Sequence, residues 1–246
     1  MSSCLKVIHD GAHPGAVNMK RDADLLAAHQ PGDDPILRIY RWEPAAITLG
    51  YNQSLEDFAD EAVAAAGLGL VKRPTGGRAI LHAHELTYCV VGTSPGPLFG
   101  DSLHDCYMKI NEALLDFLKG LGIEAVVSAG ESREEATGML CFKSAGQHEI
   151  RVGSRKIIGS AQRRAAGVFL QHGSILAGPG HLNLPRYVKG QPGVPQVPAE
   201  VLAQVTTDLS QVLNRSLDGA ALDAMGQHLA DAFSRTLDLP LSVYSP

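Results

Sequence analysis

A cysteine and a lysine are the residues of this sequence best suited to covalent chemistry. Cys141 lies in MLCFKSAGQHEI, a polar, glycine-containing stretch that favours an exposed, reactive thiol. A cysteine attacks through its thiolate, and a nearby ammonium or imidazolium lowers the pKa of the thiol. Lys156 follows fifteen positions later across a predicted hairpin, so the two side chains can meet. Spacing alone does not prove such a contact, and a lysine beside a hairpin turn is more often simply solvated.

A glycine turn carries a second set of polar groups. The segment RPTGGRAILH contains Gly76 and Gly77, bracketed by Arg73 and Arg78 and followed by His82. Consecutive glycines let backbone N–H groups approach a ligand closely, and the neighbouring cations would favour anionic or carbonyl groups. A tight hairpin turn with surface arginines is the more common explanation of such residues. The pattern is neither a phosphate-binding loop nor a dinucleotide fingerprint.

Two further segments, RKIIGSAQRR and VFLQHGSIL, follow the cysteine. Lys156 has two isoleucines beside it, and partial desolvation there would lower its pKa and strengthen its effect on neighbouring groups. His172 lies inside an apolar strand, where a hydrogen-bonded core histidine is the more frequent case.

Interleaved helices and strands must position these residues. Asn18 is predicted to cap a first helix with Met19, Ala23 and Leu26 on one apolar face. The alternation of ILRIYRW predicts a half-buried strand, with AITLG as a second strand beside it.

Later segments continue the alternation of helix and strand. Ser54 is predicted to open an amphipathic helix through Val63, and LVKR and RAILH to be strands joined by the PTGG turn. LTYCVVG is a further strand, and a helix is expected from His104 to Lys119. The segments HEIRV, KIIGS and VFLQHGSIL predict an antiparallel meander with a turn at Gly153, and two short helices end the chain at about 198–240. The pattern indicates one α/β (α+β) domain over residues 1–246.

Composition excludes several classes of protein. The chain has 246 residues and a net charge of −5, without the concentrated basic face that a nucleic-acid binder needs. The N-terminus lacks the pattern of a secretory signal and no apolar stretch is long enough to span a bilayer, so we expect a cytoplasmic protein that is not membrane-bound. The four cysteines show no metal-ligand or disulfide spacing, and we expect no metal site.

Three motifs together carry a resemblance to a known superfamily. LRIYRWEPAAITLGYNQ, KRPTGGRAILHAHELTYCVV and CFKSAGQHEIRVGSRKIIGSAQRRAAGVFLQHGSIL resemble, in that order, the biotin/lipoate ligases and lipoate-octanoate transferases. The resemblance runs from about Asn18 to Ile175. It implies a mixed, largely antiparallel central sheet flanked by helices, with a tunnel for an acyl chain.

Within the superfamily the motifs most resemble the Gram-positive type of octanoyltransferase, which has Pro-Thr-Gly-Gly-Arg in the turn and Cys-Phe before the His-Glu-Ile strand. Biotin ligases carry a GRGRxxR-type signature that is absent here. ATP-dependent lipoate ligases typically have an Asn-Asp pair where this chain has Leu140 and Cys141, and they usually carry an accessory C-terminal domain, for which the roughly 70 residues after Leu176 leave little room.

The resemblance implies the reaction and the roles of the residues. Cys141 would take an octanoyl group from octanoyl-acyl carrier protein as a thioester, and Lys156 would hold the thiolate and manage the proton of the incoming lysine. The acceptor would be a lipoyl-domain protein such as the glycine cleavage H protein, and the reaction would need no cofactor. The acyl site would be lined or shaped by eight residues: Arg73, Gly76, Gly77, Arg78, His82, Gly159, Ser160 and His172.

Three alternatives stay open at this point. One is an ATP-dependent lipoate ligase, which would use ATP and magnesium and would not depend on Cys141. Another is an amidotransferase that moves the acyl group between two lipoyl-domain proteins with the same cysteine chemistry. The third is a non-enzymatic relative that only binds an acyl chain or a lipoyl-domain protein.

Overall fold

The computed structural model of the chain describes residues 3–128, 148–189 and 198–244. Its strands are β1 (Leu5–His13), β2 (Ile36–Trp42), β3 (Ala46–Leu49), β4 (Gly69–Lys72), β5 (Ile80–His82), β6 (Glu85–Thr93), β7 (Val126–Val127), β8 (Ile150–Val152), β9 (Arg155–Ala165), β10 (Val168–Leu176) and β11 (Leu241–Val243). Its α-helices are α1 (Gly15–Ala28), α2 (Asp60–Ala65), α3 (Leu103–Gly120), α4 (Ala199–Val205), α5 (Leu209–Val212) and α6 (Gly219–Leu237). Two 3₁₀ segments are Leu55–Asp57 and Pro179–Tyr187.

A large mixed sheet forms the centre of the molecule. In the described part of the chain it has eight strands in the order β11-β1-β2-β6-β10-β9-β8-β7. The pairs β11–β1 and β1–β2 are parallel, and the other pairs are antiparallel. The predicted fold class, a mixed and largely antiparallel sheet flanked by helices, is confirmed.

The meander of β8, β9 and β10 is formed as predicted. Gly153 provides the turn between β8 and β9 at a φ of +58°, a conformation that glycine adopts without steric cost. All nine residues of β10 are buried, as expected for a strand covered on both faces. This strand carries His172 into the interior.

A smaller sheet corrects two predictions. Its three strands in the described residues run in the order β4-β3-β5, so β3 does not lie beside β2. Strands β4 and β5 do not form a hairpin either, because β4 pairs in parallel with one edge of β3 and β5 pairs antiparallel with the other. The PTGG turn therefore crosses the end of β3. Gly50 allows this crossing, since a Cβ there would stand 1.8 Å from the carbonyl oxygen of Gly77.

Helix α1 starts earlier than predicted. It begins at Gly15, so Asn18 lies inside the helix instead of capping it. The Asn18 side chain is buried and donates to the carbonyls of His13 and Arg41, which ties the helix to the ends of two strands. Its buried face includes Met19, Asp22 and Leu25, whereas Ala23 is exposed.

Helices α3 and α6 cover the main apolar core. Ile110, Leu114 and Phe117 of α3 are buried as their spacing predicts, and Ser102 and Asp105 form a capping box at the start of that helix. The predicted helix from Ser54 to Val63 is instead a 3₁₀ turn followed by the short α2. The C-terminal region holds three helices in its described residues, and α6 is long, with nineteen residues, which corrects the prediction of two short ones. No helix within residues 3–128, 148–189 and 198–244 is long and apolar enough to cross a membrane.

Candidate active site

A narrow cavity of about 50 Å³ lies between the inner strands and the glycine turn. Apolar and aromatic side chains from α1 and β2 form one part of its wall, and β9 and β10 form another. Six of the eight residues predicted to line an acyl site do line this cavity, and Gly76 and Arg78 are not among its lining residues. The six are Arg73, Gly77, His82, Gly159, Ser160 and His172. Residues far apart in the sequence therefore share one cavity, and their role in holding an acyl group stays a prediction.

Arg73 holds the glycine turn from the inside. Its guanidinium is buried and donates to the carbonyls of Gly76 at 2.7 Å and Arg78 at 2.8 Å. It also donates to the hydroxyls of Thr75 at 3.2 Å and Thr48 at 3.3 Å. These contacts make Arg73 a brace for the turn. In the described residues the N–H groups of Gly76 and Gly77 have no hydrogen-bond partner, so both remain available as donors.

His82 is fixed by a chain of buried polar groups. Its Nδ1 lies 2.7 Å from Glu85 Oε1 and its Nε2 lies 2.8 Å from Thr48 Oγ1. The Trp42 indole stacks on the imidazole at 3.9 Å and donates to Thr87 Oγ1, which in turn donates to Glu85. The histidine ring cannot rotate without breaking these contacts.

His172 belongs to a second chain of the same type. Its Nδ1 lies 2.8 Å from Asp22 Oδ2 and its Nε2 lies 2.7 Å from Thr75 Oγ1. Arg38 and Tyr40 donate to the same aspartate. Because Thr75 and Thr48 both accept from Arg73, the two carboxylate–histidine–threonine chains meet at one guanidinium.

Burial and hydrogen bonding set the charges of the His172–Asp22 pair. Burial alone would raise the pKa of Asp22, but the hydrogen bonds from His172 and Tyr40 and the charge of Arg38 outweigh it and lower that pKa. Burial lowers the pKa of His172, with Asp22 acting in the opposite direction. An ionised carboxylate only accepts, so a neutral His172 donates from Nδ1 and accepts at Nε2 from the Thr75 hydroxyl.

Lys156 lies beside the cavity, at the start of β9. Its ammonium is buried and forms an ion pair with Glu149 Oε1. The register shifts here, since Arg151 pairs with Lys156 but Ile150 pairs with Ile158. The bulge is accompanied by close contact with Gly159: a Cβ there would stand 2.6 Å from Lys156 Cε and 2.8 Å from Nζ. The glycine thus leaves room for the lysine side chain.

Cys141, the predicted nucleophile, lies outside the described residues. The three cysteines within them are free thiols. Burial raises the pKa of the Cys89 and Cys106 thiols, so neither ionises readily at neutral pH. Cys4 is half-buried and donates to Asp34. In the same described ranges, no group of three or more His, Cys, Asp or Glu residues could hold a metal ion.

Several residues of the site were missed by the sequence analysis. Asp22, Glu85 and the threonines Thr48 and Thr75 are almost fully buried and hold the two histidines. The sequence did contain a signal for Asp22. This carboxylate lies on the same helix face as Met19 and Leu25, three positions from each, so it has to be buried with a partner. The threonines offered no comparable signal.

The fold and the site together define a catalytic domain of the lipoate-ligase kind, with one cavity beneath a glycine turn and a buried lysine at its edge. The chain belongs to the lipoyl protein ligase A/B catalytic domain family, whose sequence model matches residues 14–234. The family predicted from the three motifs is confirmed.

Two bacterial relatives are similar over much of the chain. Octanoyltransferase LipM of Moorella thermoacetica (strain ATCC 39073 / JCM 9320) is 43% identical over 175 residues, 70% of this chain and 64% of the relative. Octanoyltransferase LipM of Symbiobacterium thermophilum (strain DSM 24528 / JCM 14929 / IAM 14863 / T) is 38% identical over 247 residues, 96% of this chain and 89% of the relative. The match to the first relative thus spans slightly less than two thirds of its length.

A solved structure supports the fold. The crystal structure of lipoate-protein ligase A bound with ATP has a TM-score of 0.77 and 24% sequence identity, and the match covers 100% of this chain and 90% of that one. At this identity the likeness concerns the arrangement of the chain alone.

Proposed function

We propose that this protein transfers an octanoyl group from octanoyl-acyl carrier protein to a lysine of a lipoyl-domain protein, through a thioester on Cys141. The observation that carries the proposal is a single cavity lined by both Gly77 and Gly159, with the buried ammonium of Lys156 against Gly159. The printed names of the bacterial relatives, octanoyltransferase, describe transfer of an octanoyl group and support this part of the proposal.

In the first step the Cys141 thiolate attacks the carbonyl carbon of the donor thioester. The new bond to Cys141 forms first and gives a tetrahedral intermediate. The bond from carbon to the carrier sulfur then breaks, and the carrier leaves as a thiolate. One thioester replaces another, so the step needs neither ATP nor a cofactor. The Lys156 ammonium stabilises the attacking thiolate by its charge.

The tetrahedral intermediate of this step carries an oxyanion. The N–H groups of Gly76 and Gly77 have no partner in the described residues, and Gly77 lines the cavity. Backbone donors that are fixed before the reaction stabilise such a charge without reorganisation. Arg73 supplies this rigidity, because it holds the carbonyls of Gly76 and Arg78 on the inner side of the turn.

In the second step the amine of the acceptor lysine attacks the acyl group on Cys141. The amide bond forms, Cys141 leaves as a thiolate, and the amine loses one proton to solvent. The carrier thiolate released in the first step takes up one proton from solvent, so the overall reaction gives an amide and a thiol. The acyl chain meanwhile needs an apolar wall, and Met19, Tyr40, Trp42 and Ile80 provide one in the cavity. The glycine cleavage H protein is the acceptor we propose to test first.

A complete transfer assay tests this function. The protein is mixed with octanoyl-acyl carrier protein and the apo form of the H protein, without ATP, and the acceptor is analysed by intact mass. We expect an octanoylated acceptor, and none when the acceptor lysine is replaced by arginine. If the acceptor is modified only when ATP and free lipoate are supplied, the protein is a ligase and the proposal fails.

A further inference from the structure

Glu149 is a buried carboxylate for which the reaction above gives no role. It precedes β8, its side chain is 8% exposed, and its Oε1 pairs with Lys156 Nζ. Its Oε2 is buried without a hydrogen-bond partner among the described residues. A buried ion pair of this kind is a weak source of stability, because desolvation of both charges opposes their attraction. The pair lies against Gly159, which lines the cavity, so its position bears on the chemistry of the site.

The backbone around Glu149 is held from two sides. Asn111 of α3 is fully buried and donates from Nδ2 to the carbonyl of His148 at 2.9 Å. The carbonyl of Glu149 accepts from the N–H of Ser128 at 2.7 Å. His148 itself has a φ of +74°, and its ring stacks on Tyr107 with 5.0 Å between ring centroids. These contacts fix the backbone of Glu149 and so the origin of its side chain.

The backbone of Lys156 is also held by a hydrogen bond to another segment. The carbonyl of Lys156 accepts from the N–H of Thr207 at 2.9 Å, which ties β9 to the segment between α4 and α5. Gly159 leaves the space that the lysine side chain fills. With both backbones held, the ion pair with Glu149 helps to fix the flexible end of the lysine.

We propose that Glu149 is a positioning residue: it holds the Lys156 ammonium, in its charged form, at the edge of the cavity and so sets the pH range of the transfer. This inference rests on the proposed function. An opposite charge in contact with a buried ammonium favours the protonated form, so the lysine keeps its proton to higher pH than it would without Glu149.

Other titratable groups near the pair belong to neighbouring elements. His181, in the second 3₁₀ segment, is buried, and burial lowers its pKa, with Lys156 acting in the same direction and Asp208 and Glu85 in the opposite one. Its Nε2 lies 2.8 Å from Thr206 Oγ1. Of these groups Glu149 is the one in ion-pair contact with the ammonium.

The test measures the lysine and the reaction separately. Wild type, Glu149→Gln and Glu149→Asp are prepared with lysine labelled by carbon-13 at Cε, and Lys156→Arg assigns the Lys156 signal. Glu112→Gln is the matched control, because Glu112 pairs with Lys109 on the exposed face of α3. The same proteins are assayed for octanoyl transfer across pH.

We expect the Lys156 signal of Glu149→Gln to titrate at a pH lower by about one unit or more than in the wild type, since contact with an opposite charge is worth shifts of that size. In the pH profile of octanoyl transfer, the decline in rate on the alkaline side should shift to lower pH by the same amount. Glu149→Asp keeps the charge but shortens the side chain, so kcat should fall about tenfold while the alkaline decline stays in place. Glu112→Gln should match the wild type in both measurements.

An unchanged Lys156 titration in folded Glu149→Gln overturns the inference, as does a shifted titration with an unmoved transfer profile. If Glu149→Gln does not fold, Glu149→Asp is the deciding variant. A kcat of Glu149→Asp equal to that of the wild type then overturns the inference. A wild type that transfers no octanoyl group refutes the proposed function instead, and the Lys156 titration then decides by itself whether Glu149 holds the lysine in its charged form.

Discussion

At the scale of single residues, Gly159 is the position where one methyl group has the clearest consequence. In Gly159→Ala the new Cβ would stand 2.6 Å from Lys156 Cε, so the lysine side chain has to move. The displaced atoms are the flexible end of a side chain, and we expect the free energy of unfolding to change by about 1 kcal/mol or less. We expect kcat for octanoyl transfer to fall by about 10- to 100-fold, because small displacements of catalytic groups cost rates of that order.

Gly120→Ala is the matched control. Gly120 is the last residue of α3, and a Cβ there would meet no atom within 4 Å. This variant should keep wild-type kcat. Equal activity of Gly159→Ala and Gly120→Ala would show that the position of Lys156 is unimportant for transfer.

His172 should make stability depend on pH in the acid range. Its pKa is lowered in the folded state, so the unfolded chain binds a proton that the folded chain resists. The stability that the neutral ring supports is present above about pH 6.5 and is lost as pH falls through that value, with a slope of at most about 1.4 kcal/mol per pH unit for one proton. His172→Gln should flatten the fall in unfolding free energy between pH 7.5 and 5.5, measured by urea denaturation.

His228→Gln serves as the comparison, because His228 lies on the exposed face of α6. It should keep the wild-type dependence on pH. A His172→Gln protein that loses stability on acidification as steeply as wild type would contradict the buried, neutral state of this ring.

Some residues of the site could be predicted from the sequence and others could not. Arg73, His82 and His172 could be selected from their motifs, and they do meet at one cavity. The pairing of Asp22 and Thr75 with His172 could not be predicted, because 150 and 97 positions separate them from it in the chain. Hydrogen bonds over such distances depend on the pairing of strands, which residue spacing does not encode.

At the scale of elements, the turn between β4 and β5 depends on Arg73. In Arg73→Lys one ammonium replaces a planar fork of donors, and it cannot serve the carbonyls of Gly76 and Arg78 together with both threonines. Buried acceptors left unpaired cost about 1–3 kcal/mol, so we expect a loss of that size in unfolding free energy. The KM for octanoyl-acyl carrier protein should rise as well.

Arg163→Lys provides the control from the outer side of the same turn. Arg163 is exposed and donates to the carbonyl of Pro74. The change should alter stability by about 0.5 kcal/mol or less, as is usual at the surface. If Arg73→Lys were as stable as Arg163→Lys, the buried guanidinium would not be the brace of the turn.

The elements differ in how well the sequence predicts them. Gly153 marked a real turn, and the strands around it formed the predicted meander because each pairs with its neighbour in sequence. The prediction for β3 was wrong because a short apolar strand carries no information about which sheet it joins. The hairpin of β4 and β5 was wrong because β3 separates them.

At the scale of the whole molecule, the family is the most predictable property. Three motifs spread over the chain gave it, and the match to residues 14–234 confirms it. A single domain over residues 1–246 and a cytoplasmic location remain predictions. The long α6, which packs with α3 over the main core, was predicted only as a short helix. Its buried face is apolar but includes Gly226, a residue of low helix propensity.

The central claim is that Cys141 carries the acyl group. The most direct measurement is the intact mass of the protein after mixing with octanoyl-acyl carrier protein without ATP, for wild type, Cys141→Ala and Cys4→Ala. Cys4→Ala removes one half-buried thiol and leaves the same number of cysteines as Cys141→Ala.

We predict an octanoyl adduct on wild type and on Cys4→Ala that hydroxylamine removes, and no adduct on Cys141→Ala. An adduct that persists on Cys141→Ala, or its absence from wild-type protein that still octanoylates the acceptor, would contradict the account.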